Sequence, residues 1–165
     1  LEERVPHTGA LSFPHGAPAM PVQRDRPYAG MNFHVPPGLG HGPYPGVSEV
    51  VFPEARLQVN EYRNGNDRVL EATKLPTLTR YDNLLLRRGV TGSLAWYQWW
   101  DEARNGGDAR RTVTITLLDE QGNPVMRWRF LRARPAAYAP SPLDAAVGDT
   151  LFETLEIAFE RFEME

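Results

Sequence analysis

The chain has 165 residues, 41% of them hydrophobic, with a formal net charge of −3 and no cysteine. This length fits one domain with a core of its own, and the lack of cysteine excludes disulfides and thiolate metal sites. The slightly acidic balance argues against a protein whose whole surface binds nucleic acid. No apolar run approaches the length of a membrane-spanning helix.

The N-terminal part of the chain is rich in proline and glycine and keeps no strand or helix period for long. We predict that residues 1–27 form an extended arm and that residues 28–165 form the folded domain. Ordering the arm would cost roughly 1 kcal/mol per residue, whereas each of its few large apolar side chains contributes roughly 2 kcal/mol on burial. An ordered arm therefore has to pack on the domain body or on a neighbouring chain.

Apolar and polar residues alternate along most of the domain, which predicts antiparallel β-strands with two different faces. The predicted strands are residues 47–62, 83–91, 111–119, 125–134 and 150–165, and the predicted turns are residues 63–67 and 120–124. The sequence thus predicts a mainly β fold, an antiparallel β-barrel or sandwich.

One segment follows a helical period instead. Its large apolar positions recur at i, i+3, i+4 and i+7. They are Trp96, Trp99, Trp100 and Ala103. We predict a helix at about 93–104, with Ser93 as the N-cap and Asn105–Gly106 as the stop. This spacing favours a core helix that flanks the β-structure; a sugar-stacking platform is the alternative.

The sequence offers little for chemistry. Its four histidines do not fall at metal-ligand spacing on a regular element. Glu153, Glu156 and Glu160 resemble the paired acids of glycoside hydrolysis, but Glu156 and Glu160 would lie about 13 Å apart along one strand. A solvated strand face is the better interpretation. We predict neither a catalytic site nor a metal or cofactor site.

A second charged group lies on the strand at 125–134. The arginines at positions 127, 129, 132 and 134 form a basic stripe. Nucleic-acid contact is one interpretation, but no exposed aromatic residues clearly interleave with the stripe. Pairing with the acids of the last strand, within or between subunits, is therefore favoured.

Three segments occur in an order that resembles a known family. They are KLPTLTRYDNLLLRRGVT at 74–91, LLDEQGNPVMRWRF at 117–130 and ETLEIAFE at 153–160. Together they are similar to the tail tube proteins of contractile phage tails and contractile injection systems. The resemblance runs from about Tyr28 to Phe162 and departs from the family at residues 1–27 and 36–46.

The resemblance implies a tail-tube β-barrel subunit with one flanking helix and no catalytic residues. Six copies would close a ring, and stacked rings would form a hollow tube that conducts cargo or DNA. Expected partners are other copies of the chain, a contractile sheath, and baseplate and spike proteins. Assembly would take place in the cytoplasm, and the product would be part of a virion or of an extracellular phage-tail-like particle.

The resemblance also implies a lumen wall made of long strands. Residues 47–62 and 150–162 are the candidates, and their polar faces would line the channel. The lumen-facing candidates are Glu54, Arg56, Gln58, Asn60, Thr154, Glu156 and Glu160. Mixed polar residues with an acidic excess suit a conduit, because carboxylates repel phosphate.

Other functions stay open at this point. A tube-initiator subunit at the baseplate shares the family pattern. A monomeric β-sandwich carbohydrate-binding module would use the tryptophan cluster as its platform. A hydrolase that uses the acids of the last strand is the least favoured alternative.

Overall fold

The computed structural model describes residues 24–35, 46–62 and 73–165. Most of the predicted arm, nearly all of the 36–46 loop and the predicted turn at 63–67 lie outside these residues. The elements, in chain order, are β1 (Phe33–His34), β2 (Glu49–Val51), β3 (Ala55–Tyr62), β4 (Thr73–Tyr81), β5 (Leu84–Gly89), α1 (Ala95–Arg104), β6 (Arg111–Leu118), β7 (Pro124–Pro140), β8 (Phe152–Ala158) and β9 (Arg161–Met164). The predicted class, mainly antiparallel β with one helix, is confirmed.

The long strand β7 organises the molecule because it belongs to two sheets. Its first half pairs with β6 and β9, and β1 pairs with β6, which gives the first sheet. Its second half pairs with β8, followed by β5 and β2, which gives the second sheet. Between the halves, Arg132 has a φ of 54° and the register shifts between Pro135 and Ala137. This bend directs the two sheets away from one another.

The core receives side chains from both sheets and from α1. Along β8 the buried positions alternate, as period-two geometry requires, with Leu155 and Ile157 completely buried. The other core residues are Leu84, Leu86, Trp96, Trp99, Ala109, Val113, Ile115, Phe130 and Ala133. The turn predicted at 120–124 joins β6 to β7, and Gly122 supplies its positive φ of 85°.

The strand predicted at 47–62 is interrupted. Pro53 lies between β2 and β3, where it has no N–H to give to a strand ladder. The pairing register nevertheless continues across the break: Val51 faces Leu85, Ala55 faces Tyr81, and between them the Asp82 amide donates to the Glu54 carbonyl at 3.1 Å. We call the continuous hairpin made by β2–β3 and β4–β5 the ribbon. Only its β2–β5 half joins the second sheet, and β3–β4 forms a two-stranded sheet of its own.

The prediction of a single strand at 150–165 is wrong, because the chain passes from one sheet to the other at Phe159 and Glu160. β8 lies in the second sheet, whereas β9 pairs with β7 in the first. The crossing lies beside the bend of β7: the Glu160 amide donates to the Leu131 carbonyl at 3.2 Å, and Arg132 pairs with Glu160 at 2.7 Å. Period-two patterning continues through this step, so the sequence does not reveal it.

The helix was predicted at about 93–104 and is observed at Ala95–Arg104. Leu94 rather than Ser93 is the N-cap, with φ −86° and ψ 3° and no side-chain capping hydrogen bond. The Ser93 hydroxyl accepts from the Ala95 amide at 3.4 Å, and the Ser93 carbonyl accepts from Arg88. The predicted stop is confirmed, since Asn105 is the C-cap.

Candidate assembly surface

The outer face of the second sheet carries part of the predicted lumen set. By strand alternation Thr154 and Glu156 point away from the core, opposite Arg87 and Leu85. Both are half-buried, and the Asn83 side-chain amide donates to the Glu156 carboxylate at 2.6 Å. The structure thus places these two candidates on one surface.

The other candidates lie elsewhere. Glu54, Arg56, Gln58 and Asn60 are exposed on the ribbon beyond the second sheet. Arg56 donates to Glu54 at 2.7 Å, and this hydrogen bond lowers the pKa of the Glu54 carboxyl. Glu160 lies at the crossing between the sheets and pairs with Arg132, so it does not continue the face of β8. The predicted lumen set is therefore divided among three places.

Sequence reasoning missed most of this outer face. Beside Thr154 and Glu156 it carries an ion pair between Glu49 and Arg87 at 3.4 Å. Small and apolar residues complete it by register: Val51, Leu85, Ala137 and Ala139. The alternation of 84–89 contained the signal, because Leu84 and Leu86 face the core and leave Leu85 and Arg87 outside.

The β3–β4 part of the ribbon exposes hydrophobic side chains on both faces. Leu57 lies opposite Thr79 and is 56% exposed, and Leu78 lies opposite Gln58 and is 59% exposed. Val59 is also exposed. A two-stranded ribbon is at best marginally stable alone in water, and exposed apolar strands invite pairing and packing with another chain.

The helix contributes to the core and not to a platform of three tryptophans. Trp96 and Trp99 are buried, and the Trp99 indole N–H donates to the Ala109 carbonyl at 2.7 Å. Trp100 is half-buried beneath the Arg104 guanidinium, and Ala103 packs against the core edge. A carbohydrate-stacking surface would need accessible rings, which Trp96 and Trp99 do not provide.

A charged group is buried inside the second sheet. Arg88 donates from Nε to Glu153, and the Tyr138 hydroxyl donates to the other carboxylate oxygen at 2.7 Å. The interpretation of the acids as a solvated face is therefore wrong for Glu153, which lies on the core face of β8 because it shares parity with Leu155 and Ile157.

Burial, and then the hydrogen bond to Glu153, raise the pKa of Tyr138 to about 12, above its ordinary value of 10.0. The folded protein therefore keeps the phenolic proton to higher pH than the unfolded chain. The resulting stabilisation is fully present below pH 10 and is lost as the pH rises toward 12. We expect the difference in Tm between wild type and Tyr138→Phe to be constant up to about pH 10 and to shrink above it. Thermal melts at several pH values check this, and a constant difference up to pH 12 would contradict it.

The arginine stripe was predicted to pair with the acids of the last strand. Three of its four members do so. Arg127 lies 3.7 Å from Glu165, Arg129 lies 3.1 Å from Glu165, and Arg132 pairs with Glu160. Partly exposed pairs such as these stabilise by about 0–1 kcal/mol each. They account for three of the four arginines of the stripe without a nucleic-acid ligand.

The start of the described chain is anchored on the turn between β6 and β7. The Arg24 guanidinium donates to both carboxylate oxygens of Glu120 at 3.0 Å and lies 3.7 Å above the Tyr28 ring. The Leu118 amide donates to the Asn32 carbonyl at 2.8 Å. Arg24 was assigned to the arm from the sequence, yet it contacts the domain body.

No group of three or more metal-ligating side chains occurs in the part of the chain that the structure describes. No helix among those residues is long and apolar enough to cross a membrane. The described residues thus define a mainly antiparallel β class, in which two sheets share one core and a ribbon exposes apolar side chains.

The comparison with protein families identifies the class more closely. Residues 31–163 match the family described as T4-like virus tail tube protein gp19. Because this match covers most of the chain, the chain belongs to the tail tube family, and its predicted role as a structural subunit of an inner tube is confirmed. The comparison with curated proteins found no match.

Solved structures share the fold. A chain of the anti-feeding prophage (AFP) baseplate, six-fold symmetrised, aligns with a TM-score of 0.72 and 23% identity, over 86% of this chain and 97% of that chain. A chain of the PVC sheath-tube complex, from an extracellular contractile injection system in the extended state, aligns with a TM-score of 0.73 and 22% identity, over 86% and 93%. A type six secretion system protein aligns with a TM-score of 0.53 and 11% identity, over 81% and 82%.

Proposed function

We propose that six copies of the protein close into a ring and that the rings stack into the inner tube of a contractile injection apparatus. The observation that carries this proposal is the ribbon, whose β3–β4 half is a two-stranded sheet with exposed leucines on both faces. Such a surface needs a partner, and in a homo-oligomer the partner is another copy. The six-fold symmetry in the description of the AFP baseplate supports the number six.

The second sheet is the proposed lumen wall. Among the described residues it has four strands, and its edge strand β2 is only three residues long. Joined edge to edge across copies, such sheets would close into one barrel and leave no unpaired margin. Thr154 and Glu156 would then face the lumen, with Glu49 and Arg87 beside them.

Further partners follow from the same proposal. A contractile sheath would surround the tube, as in the sheath-tube complex of the PVC particle, and baseplate and spike proteins would close its end. The tube would conduct cargo or DNA, would carry out no catalysis, and would be assembled in the cytoplasm before release in a particle. The similarity extends both to a baseplate chain and to a tube chain, so a tube-initiator role is the second candidate.

Electron microscopy of the purified chain in negative stain tests the proposal. We expect rings about one subunit thick and hollow rods built from them. Uniform small monomers at every protein concentration and salt concentration would count against assembly. Three-dimensional averaging of the rings then reports their symmetry.

The N-terminal arm is proposed to contact a neighbouring ring or the sheath. Deletion of residues 1–23 keeps the Arg24 anchor on Glu120, so the subunit should fold with an unchanged Tm. We expect the deletion to shorten or abolish the rods. Rod lengths measured by microscopy check this, and unchanged lengths and rod stability would remove the arm from the assembly.

A further inference from the structure

The buried charges of the second sheet join four elements. Arg88 on β5 and Glu153 on β8 are directly opposite in the sheet, and their side chains are 6% and 4% exposed. Tyr138 on β7 donates to Glu153. The Arg88 guanidinium lies 4.3 Å over the Trp96 ring of α1 and donates to the Ser93 carbonyl at 3.5 Å.

Apolar residues alone do not determine how β5 slides along β8. In the observed register Leu84 faces Ile157 and Leu86 faces Leu155. A shift of two residues keeps every side chain on the same face of the sheet. Leu86 would then face Ile157, and Leu84 would face Phe159, so apolar side chains would still meet apolar side chains.

The ion pair distinguishes these registers. After the same shift Arg88 would face Leu155 and Glu153 would face Val90. The two charges would no longer be directly opposite, and Glu153 would keep only the Tyr138 hydroxyl. A buried unpaired charge is strongly unfavourable, whereas a buried pair is often no more stabilising than apolar residues of similar volume. The pair therefore contributes to the choice among registers more than to the stability of the chosen one.

We propose that Arg88 and Glu153 are a register key, meaning a buried pair that permits only one alignment of β5 with β8. The consequence for assembly rests on the proposed function. A two-residue shift would move β5, and with it the ribbon, by about 7 Å relative to β7. The two edges of the second sheet would no longer meet those of a neighbouring copy at the same height, and the ring would not close.

Disulfide trapping reads the register without any need for assembly. The wild-type chain has no cysteine, so introduced pairs report without background. Arg87→Cys with Thr154→Cys places thiols directly opposite in the observed register, within disulfide reach. Arg87→Cys with Glu156→Cys places them opposite only after the two-residue shift, since diagonal neighbours lie beyond that reach.

Both cysteine pairs are introduced into the wild-type core and into Arg88→Met/Glu153→Leu, then oxidised with oxidised glutathione. In the wild-type core we expect Arg87→Cys/Thr154→Cys to close at least tenfold faster than Arg87→Cys/Glu156→Cys. In the Arg88→Met/Glu153→Leu core we expect the two rates to differ less than threefold, with the Tm preserved. A second apolar core, Arg88→Leu/Glu153→Met, is the control for poor packing of the new side chains in the first.

A tenfold preference that persists in the apolar cores would overturn the register key. Loss of cooperative unfolding in both apolar cores would overturn it too, because the pair would then supply net stability. Ring formation is measured separately: wild-type chains that form no rings contradict the proposed function, while the trapping rates still decide the register key. Apolar cores that close rings as well as wild type would remove its role in assembly.

Discussion

Leu57→Asp is expected to abolish rods while leaving the subunit folded. Leu57 is 56% exposed in the single subunit, so a carboxylate there costs the monomer little. At a contact between copies the same change removes about 1.5–3 kcal/mol of apolar burial and adds the desolvation of a charge. Each 1.4 kcal/mol is a tenfold change in an association constant, so we expect the association constant of that contact to fall by at least a hundredfold.

The matched control for this change is Leu94→Asp. Leu94 is 62% exposed and is the N-cap of α1, where aspartate is a favoured capping residue. We expect this variant to fold and to form rods like wild type. Sedimentation and negative-stain microscopy measure both variants. Equal rod formation by Leu57→Asp and wild type would mean that the ribbon is not an assembly surface.

The ribbon also shows how far the sequence alone predicts this fold. The alternation of residues 47–62 predicts a long strand, and the register does continue across Pro53. What alternation cannot predict is that half of that strand leaves the second sheet and pairs only with β4 among the described residues. Residues such as Leu57 and Val59 have the pattern of a buried face, yet they are exposed in the single subunit. Alternation of apolar and polar residues looks the same in the sequence whether the apolar face packs on the core or lies exposed on the subunit.

Glu153 shows the opposite case. Its charge predicted a solvated face, but its parity with Leu155 and Ile157 places it in the core. The partner that makes this burial tolerable, Arg88, lies 65 residues away in the sequence. The pairing depends on the register between two distant strands, which period-two patterning leaves undetermined by multiples of two residues. The sequence therefore showed that Glu153 shares a strand face with Leu155 and Ile157, but it did not show that Arg88 is its partner.

The change of sheets at Phe159 and Glu160 has a similar origin. It requires a bend in β7 at Arg132, a residue with a positive φ that no glycine marks. For this reason Glu160 was assigned to the face of Thr154 and Glu156, although it pairs with Arg132. The lumen assignment of Thr154 and Glu156 stays a prediction, and the same face now adds Glu49 and Arg87 to it.

The tryptophan helix gives the second large expected effect. Trp99 is 1% exposed, and its indole N–H donates to the Ala109 carbonyl. Trp99→Ala removes a large buried side chain and leaves that carbonyl without its donor, which should lower the free energy of unfolding by about 3–5 kcal/mol. At about 2–4 °C per kcal/mol for a chain of this size, the Tm should fall by roughly 10 °C.

Trp100→Ala is the matched comparison. Trp100 lies next to Trp99 on the same helix but is only half-buried, beneath Arg104. We expect it to cost about 1 kcal/mol. Both variants are unfolded with urea at a protein concentration low enough to keep the chain monomeric, because assembly would add stability of its own. Equal losses for the two variants would contradict the burial difference, and equal small losses would place both indole rings at the surface. A large loss for Trp99→Ala alone would mean that Trp99 belongs to the core to which both sheets contribute, while Trp100 lies at its margin.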